Sequence, residues 1–239
     1  MTVDPLALLP ELDKATDRVL RTAAGFDDAT AAGPSPLPGW TRGHVLTHLA
    51  RNADAYVNLL NWARTGVPTP AYPSMAARNA DIEAGASRPA AELVDDLRTA
   101  AARFAEAAAD LPVTAWATVV EKTGGRRVTT AVVVWDRLRE VEVHHVDLDA
   151  GYTPADWPEA FSQHMLRELV NGFGGRTDAP ALILRPDGLG HDLGIGATGG
   201  APVVSGPAHV LAAWLSGRAT GAGLTVTPDG PLPTVPRWM

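Results

Sequence analysis

The 239-residue sequence has no cysteine. That single absence removes disulfide staples, thiolate zinc sites, iron–sulfur clusters and a thiol nucleophile supplied by the protein. Any thiol chemistry here must use sulfur brought from outside. Positive charge is in short supply as well: 20 Lys and Arg stand against 27 Asp and Glu, a net −7 with histidines neutral. Wrapping of nucleic acid and docking on anionic lipid are disfavoured, and an anionic substrate needs a local cationic site. No apolar run approaches the roughly 18 residues of a membrane span. Asp4, Glu11 and Asp13 occupy the region where a signal peptide needs a basic start, so a cytoplasmic location is expected. Fixed-period repeats and low-complexity tracts are also missing. What remains is a composition of 46% hydrophobic and 20% charged residues, enough for a folded core. The length suits one large or two modest domains, and two is the preferred reading.

The first 150 residues read as helical. Leu8, Leu12, Ala15, Val19 and Ala23 recur at helical spacing between Pro5 and Ala24. A loop from Gly33 to Gly39 leads to Trp40 and Thr41; Thr41 suits a helix N-cap, and Trp40 can staple onto Val45. This second helix is expected to run to about Thr65, ended by Gly66 and Pro68, with an ordered connection or short helix through Tyr72 and Arg78 to Gly85. A third helix starts near Pro89 and continues through Leu93, Leu97, Ala101 and Phe104 to Pro112. Two β-like pieces flank Thr123-Gly124-Gly125-Arg126, and a fourth helix spans Thr130 to about Asp149. Gly151, Pro154 and Pro158 mark a boundary near residue 153. Beyond it, helices at 159–171 and 207–216 and strands at 181–185, 192–197 and 224–227 describe an α+β domain. The expected fold class is α+β: an N-terminal four-helix bundle (1–153) with a smaller C-terminal α+β domain (154–239).

On a helix, residues four apart are separated by about 40° around the axis and about 6 Å along it, so Glu140 and His144 can converge on one point. His145 lies roughly 140° from Glu140 and cannot easily join them. Asp136, Arg137, Glu140, His144 and Asp147 form a polar stripe on a largely apolar helix, which is either solvated or a site. The second helix offers His44, His48 and Asn52 on one face. If the two faces meet inside the bundle, His48, Glu140 and His144 supply two nitrogens and one oxygen, a set suited to zinc that leaves a fourth position for water or substrate. Asp136, Asp147 or Asn52 could then hold the second ring nitrogens. The blander reading is a surface ion pair and a packed histidine, and spacing alone favours it.

The segments Gly39-Trp40-Thr41-Arg42 with His44 and His48, Asn61-Trp62-Ala63-Arg64-Thr65-Gly66, Ala77-Arg78-Asn79, Arg139-Glu140-Val141 and Pro236-Arg237-Trp238 shift that balance. Together they make the chain resemble, over its full length, the mycothiol-dependent maleylpyruvate isomerase family, whose N-terminal half is a DinB-like metal-binding bundle. The resemblance implies a divalent metal, normally zinc, on His48, Glu140 and His144, and mycothiol as the external thiol. The implied reaction is cis–trans isomerisation of maleylpyruvate, a small dicarboxylate, to fumarylpyruvate in gentisate breakdown. It also implies a substrate-binding role for Arg218, for which the alternative is capping of helix carbonyls. Tyr72, Arg78 and Asn79 are candidate contacts for the thiol cofactor or are structural. Thiol S-transfer to electrophiles and non-catalytic metal or thiol sensing are the competing functions. The sequence is compatible with a monomer.

Overall fold

The computed structural model describes residues 4–238. The chain divides into two compact units between Gly151 and Tyr152, two residues before the boundary expected from the sequence.

The first unit is built on four long helices, α1 (Pro5–Ala24), α3 (Arg42–Thr65), α5 (Ala90–Ala109) and α6 (Ala131–Asp147). Helix α1 packs on α5 and α6, and α3 packs on the same two, which closes a four-helix bundle. Each helix is specified locally. In α1 the Asp4 carboxylate caps the amides of Leu6 and Ala7, and Leu12, Ala15, Val19 and Ala23 form its buried stripe. In α3 the Thr41 hydroxyl accepts from the His44 amide while the His44 ring returns to the Thr41 amide, a capping box with histidine where Glu or Gln is usual. Gly66 ends α3 in the left-handed region at φ 73°, where glycine carries no Cβ penalty. Helix α3 is apolar nearly all round: Val45, Leu46, Leu49, Leu59 and Leu60 are each 0–1% exposed, because α5, α6 and α4 (Met75–Gly85) cover different sides.

Two contacts fix α3 against the end of α6. Arg42 Nε donates to the Leu148 carbonyl at 2.6 Å, and the Ser35 hydroxyl donates to the Asp147 carbonyl at 2.7 Å. They answer unpaired C-terminal carbonyls and set the register between the two helices that carry the candidate ligands. Between α5 and α6 the chain makes an antiparallel hairpin of β1 (Val119–Glu121) and β2 (Arg127–Thr129).

The second unit pairs α7 (Glu159–Gly174) with α8 (Ala208–Leu215) beside a four-stranded sheet. Its strands β3 (Leu182–Pro186), β4 (Leu193–Ile195), β5 (Val203–Gly206) and β6 (Thr225–Thr227) lie in the order β4-β3-β5-β6. Strands β3 and β5 are parallel; the outer pairings are antiparallel. The helices, the hairpin and three of these four strands fall where the sequence places them. The differences are β5, read as loop, and the short helix α2 (Asp28–Ala32), unassigned; residues 75–85 form a helix, one of the two alternatives expected there. Arg78 and Asn79 therefore sit on α4, not on a connecting loop. Among the described residues no helix is long and apolar enough to cross a membrane.

Candidate metal centre

The middle of α3 and one turn of α6 face each other across the bundle. His48 Nε2 lies 2.9 Å from Glu140 Oε2 and 3.0 Å from His144 Nε2, and the His144 Nε2 to Glu140 Oε2 distance is 3.4 Å. The three donor atoms are within 4.8 Å of one another, with both histidines buried and Glu140 partly buried. Three side chains from two helices converging on so small a volume is the arrangement that a tetrahedral cation with one open position needs. Spacing along α6 brings Glu140 and His144 together, and helix pairing brings His48 to them.

The surroundings complete the fit. Asp147 Oδ2 takes a hydrogen bond from His144 Nδ1 at 2.8 Å, which makes Nε2 the ligating nitrogen of the neutral ring. Of the three residues expected to steady the rings, only Asp147 does so. Asn52 Oδ1 accepts from Arg137 Nη1 at 2.9 Å, and Asp136 pairs with Lys122 and Arg139. Arg137 is an internal strut whose Nη1 also donates to the Leu49 carbonyl. On Glu140, burial alone would raise the carboxyl pKa, but hydrogen bonds and charge from the two imidazoles outweigh it and hold the group well below its ordinary value. Burial, reinforced by His144, pushes His48 down to about 4. His144 moves the other way: burial lowers it, yet Asp147 and Glu140 prevail and raise it. At neutral pH the site thus presents an ionised carboxylate and a neutral His48, the protonation states that a metal requires.

The remaining candidates separate clearly. His44 belongs to the cap of α3 and faces Glu83 at 3.2 Å, outside the ligand set. His145 turns to the opposite side, with Nε2 2.8 Å from the Thr22 hydroxyl on α1, as the helical angle requires. Arg78 reaches the site from α4: its Nη2 lies 3.1 Å from His48 Nδ1, its Nη1 donates to Asn79 Oδ1, and its guanidinium carbon sits 5.9 Å from the Tyr72 ring centre. Tyr72 is largely buried, and burial raises its hydroxyl pKa. Asn79 is exposed. Arg218, in the second unit, donates from Nη1 to the Ser216 carbonyl at 2.7 Å just past α8, and its guanidinium carbon lies 6.0 Å from the Trp238 ring.

Sequence reasoning missed Trp40. Its ring lies 5.6 Å from the His48 ring, edge-on, and stacks on His44 at 6.1 Å. It walls one side of the centre with apolar surface. Its position immediately before the helix cap, one turn or two from both histidines, was the available signal.

The Asp147 contact yields a test. Asp147→Ala is expected to weaken zinc binding by about 10–100-fold, the usual consequence of freeing a ligating imidazole. Competition with a chromogenic chelator reads it; unchanged affinity would mean that Asp147 does not orient His144.

Two family models match the sequence: the mycothiol maleylpyruvate isomerase N-terminal domain over residues 12–149 and the MDMPI C-terminal domain over residues 156–237. Among solved structures, a crystal structure of the mycothiol-dependent maleylpyruvate isomerase superposes with a TM-score of 0.92 at 30% identity, covering 100% of both chains. A histidine-to-alanine mutant of that enzyme matches with the same values. No curated protein matches the sequence.

Proposed function

The chain belongs to the mycothiol-dependent maleylpyruvate isomerase family, and from that premise we propose that it converts maleylpyruvate to fumarylpyruvate with mycothiol as external thiol and zinc on His48, Glu140 and His144. The observation that carries the reading is the convergence of those three side chains in a chain without cysteine. Zinc held there would lower the pKa of the external thiol, and addition of the thiolate to the cis-alkene, rotation about the resulting single bond and expulsion of the same thiolate would return the trans-alkene.

The protein's own residues have distinct tasks. His48, Glu140 and His144 would hold the cation, and Asp147 keeps His144 in the ligating tautomer. Trp40 packs edge-on against the His48 ring. The substrate carries two carboxylates, and the chain's net −7 makes a local guanidinium necessary. Arg218 fills that role, with its tether to the Ser216 carbonyl setting the direction of the side chain. Tyr72, Arg78 and Asn79 meet the thiol cofactor beside His48.

The deciding assay supplies mycothiol and maleylpyruvate, with and without chelator, beside generic electrophiles. Fumarylpyruvate formed only with thiol and metal is the expected product. A stable thioether with electrophiles and no isomerised product would make the protein an S-transferase, and metal uptake without turnover would make it a sensor. Arg218→Ala is expected to keep its metal while losing at least about 100-fold in kcat/KM, the scale of a buried charge-assisted contact to substrate. Retention of full turnover by that variant would return Arg218 to helix capping.

A further inference from the structure

The two ligating histidines are held differently at their second nitrogens. His144 Nδ1 faces Asp147 Oδ2, an acceptor, so Nδ1 carries a proton and, in the neutral ring, Nε2 holds the lone pair facing the centre. His48 Nδ1 faces Arg78 Nη2 at 3.1 Å. A guanidinium can only donate, so this contact requires a lone pair on His48 Nδ1. The ring's proton then resides on Nε2, where it donates to Glu140 Oε2 at 2.9 Å, with the His144 Nε2 lone pair 3.0 Å away. The pattern is consistent throughout, and it places a proton on the very atom that must offer its lone pair to a cation. Ligation through Nε2 moves that proton to Nδ1, where it confronts an N–H of Arg78; two donors cannot share the contact.

We propose that Arg78 and the divalent cation compete for His48. Before the cation arrives, Arg78 holds His48 in the non-ligating tautomer; binding of the cation reverses the tautomer and expels the guanidinium. The expelled Arg78 remains on α4 beside Tyr72 and Asn79, turned over to acceptors on an incoming ligand. Metal loading thereby prepares the organic subsite, and His144, fixed by Asp147, serves as the permanent anchor. The inference rests on the metal reading above and concerns the order in which the site assembles.

The test reads protons, not turnover. Long-range proton–nitrogen correlation spectra of the nitrogen-15-labelled protein assign the tautomer of each histidine. Without metal, His48 is expected to carry its proton on Nε2 and His144 on Nδ1; with zinc, both carry it on Nδ1. Arg78→Gln offers an amide oxygen that accepts from Nδ1–H, so its zinc affinity by chelator competition should rise about tenfold. Arg78→Lys, which keeps a charged donor, should stay near the wild-type value. A metal-free wild type with His48 already protonated on Nδ1 overturns the proposal, and so does an Arg78→Gln protein that binds zinc no more tightly than wild type. Failure of the metal reading looks different: zinc then shifts neither histidine, while the metal-free spectrum still reports on the bond between Arg78 and His48.

Discussion

Alanine at His48, Glu140 or His144 is expected to abolish stoichiometric zinc and isomerase activity together, by more than the about 10–100-fold of an outer-shell change. Each side chain supplies one of only three protein donors, all within 4.8 Å, so no neighbour can replace it. His145, the nearest spare imidazole in sequence, is held against Thr22 on α1, and His44 is committed to the cap of α3. Asp136, one turn before Glu140, is paired with Lys122 and Arg139. Elemental analysis after dialysis gives the metal content, and circular dichroism checks that the bundle is intact. A His144→Ala protein with a full complement of zinc would reject the ligand assignment. In wild type, protons and zinc compete for His144, whose pKa is raised by Asp147 and Glu140. Zinc affinity should therefore begin to fall at a higher pH than for an ordinary imidazole, and keep falling as the solution is acidified.

The amphipathic helices were legible because their stripes are local: Leu12, Ala15, Val19 and Ala23 need only the helical period to declare α1. The ligand pair on α6 was legible for the same reason, and the i, i+4 rule separated His144 from His145 without coordinates. His48 was different. Face spacing proposed it on condition that two helices meet, and family resemblance strengthened that choice; the distances to Glu140 and His144 come from tertiary packing. Strand β5 was hidden for a related reason. Val203 and Val204 are a minimal apolar pair between glycine-rich turns, and the strand exists through parallel pairing with β3, a partner about 20 residues away. Trp40 and Arg78 show the same limit from the side of function. A tryptophan before a capping threonine reads as packing, and Arg78 reads as a cofactor contact or a structural residue on a connection; that both lie against the His48 ring follows only from how α3 and α4 come together.

Gly43→Ala should produce the largest loss of stability of any single methyl group added to the bundle. Gly43 lies in the first turn of α3, where helix propensity alone favours alanine by about 1 kcal/mol. The structure reverses that sign. A Cβ at Gly43 would stand 2.1 Å from the Ala86 carbonyl oxygen and 3.2 Å from its carbon, backbone atoms at the end of α4 that no rotamer change can move. The helices must separate, at a cost of about 3 kcal/mol or more for overpacking against rigid atoms, which lowers Tm by roughly 6–12 °C for a chain of this size. Gly66 provides the contrast: its left-handed φ of 73° penalises alanine by about 1–2 kcal/mol, but nothing lies within 4 Å to be displaced. The consequence for the site follows from which helix moves. The ligands sit on α3 and α6, so folded Gly43→Ala protein should still bind zinc; Arg78 sits on α4, so its bond to His48 should weaken. Thermal melts and zinc titration of the same sample test both halves, and a melting point within about 1 °C of wild type would show that the end of α4 yields more easily than its packing against α3 implies.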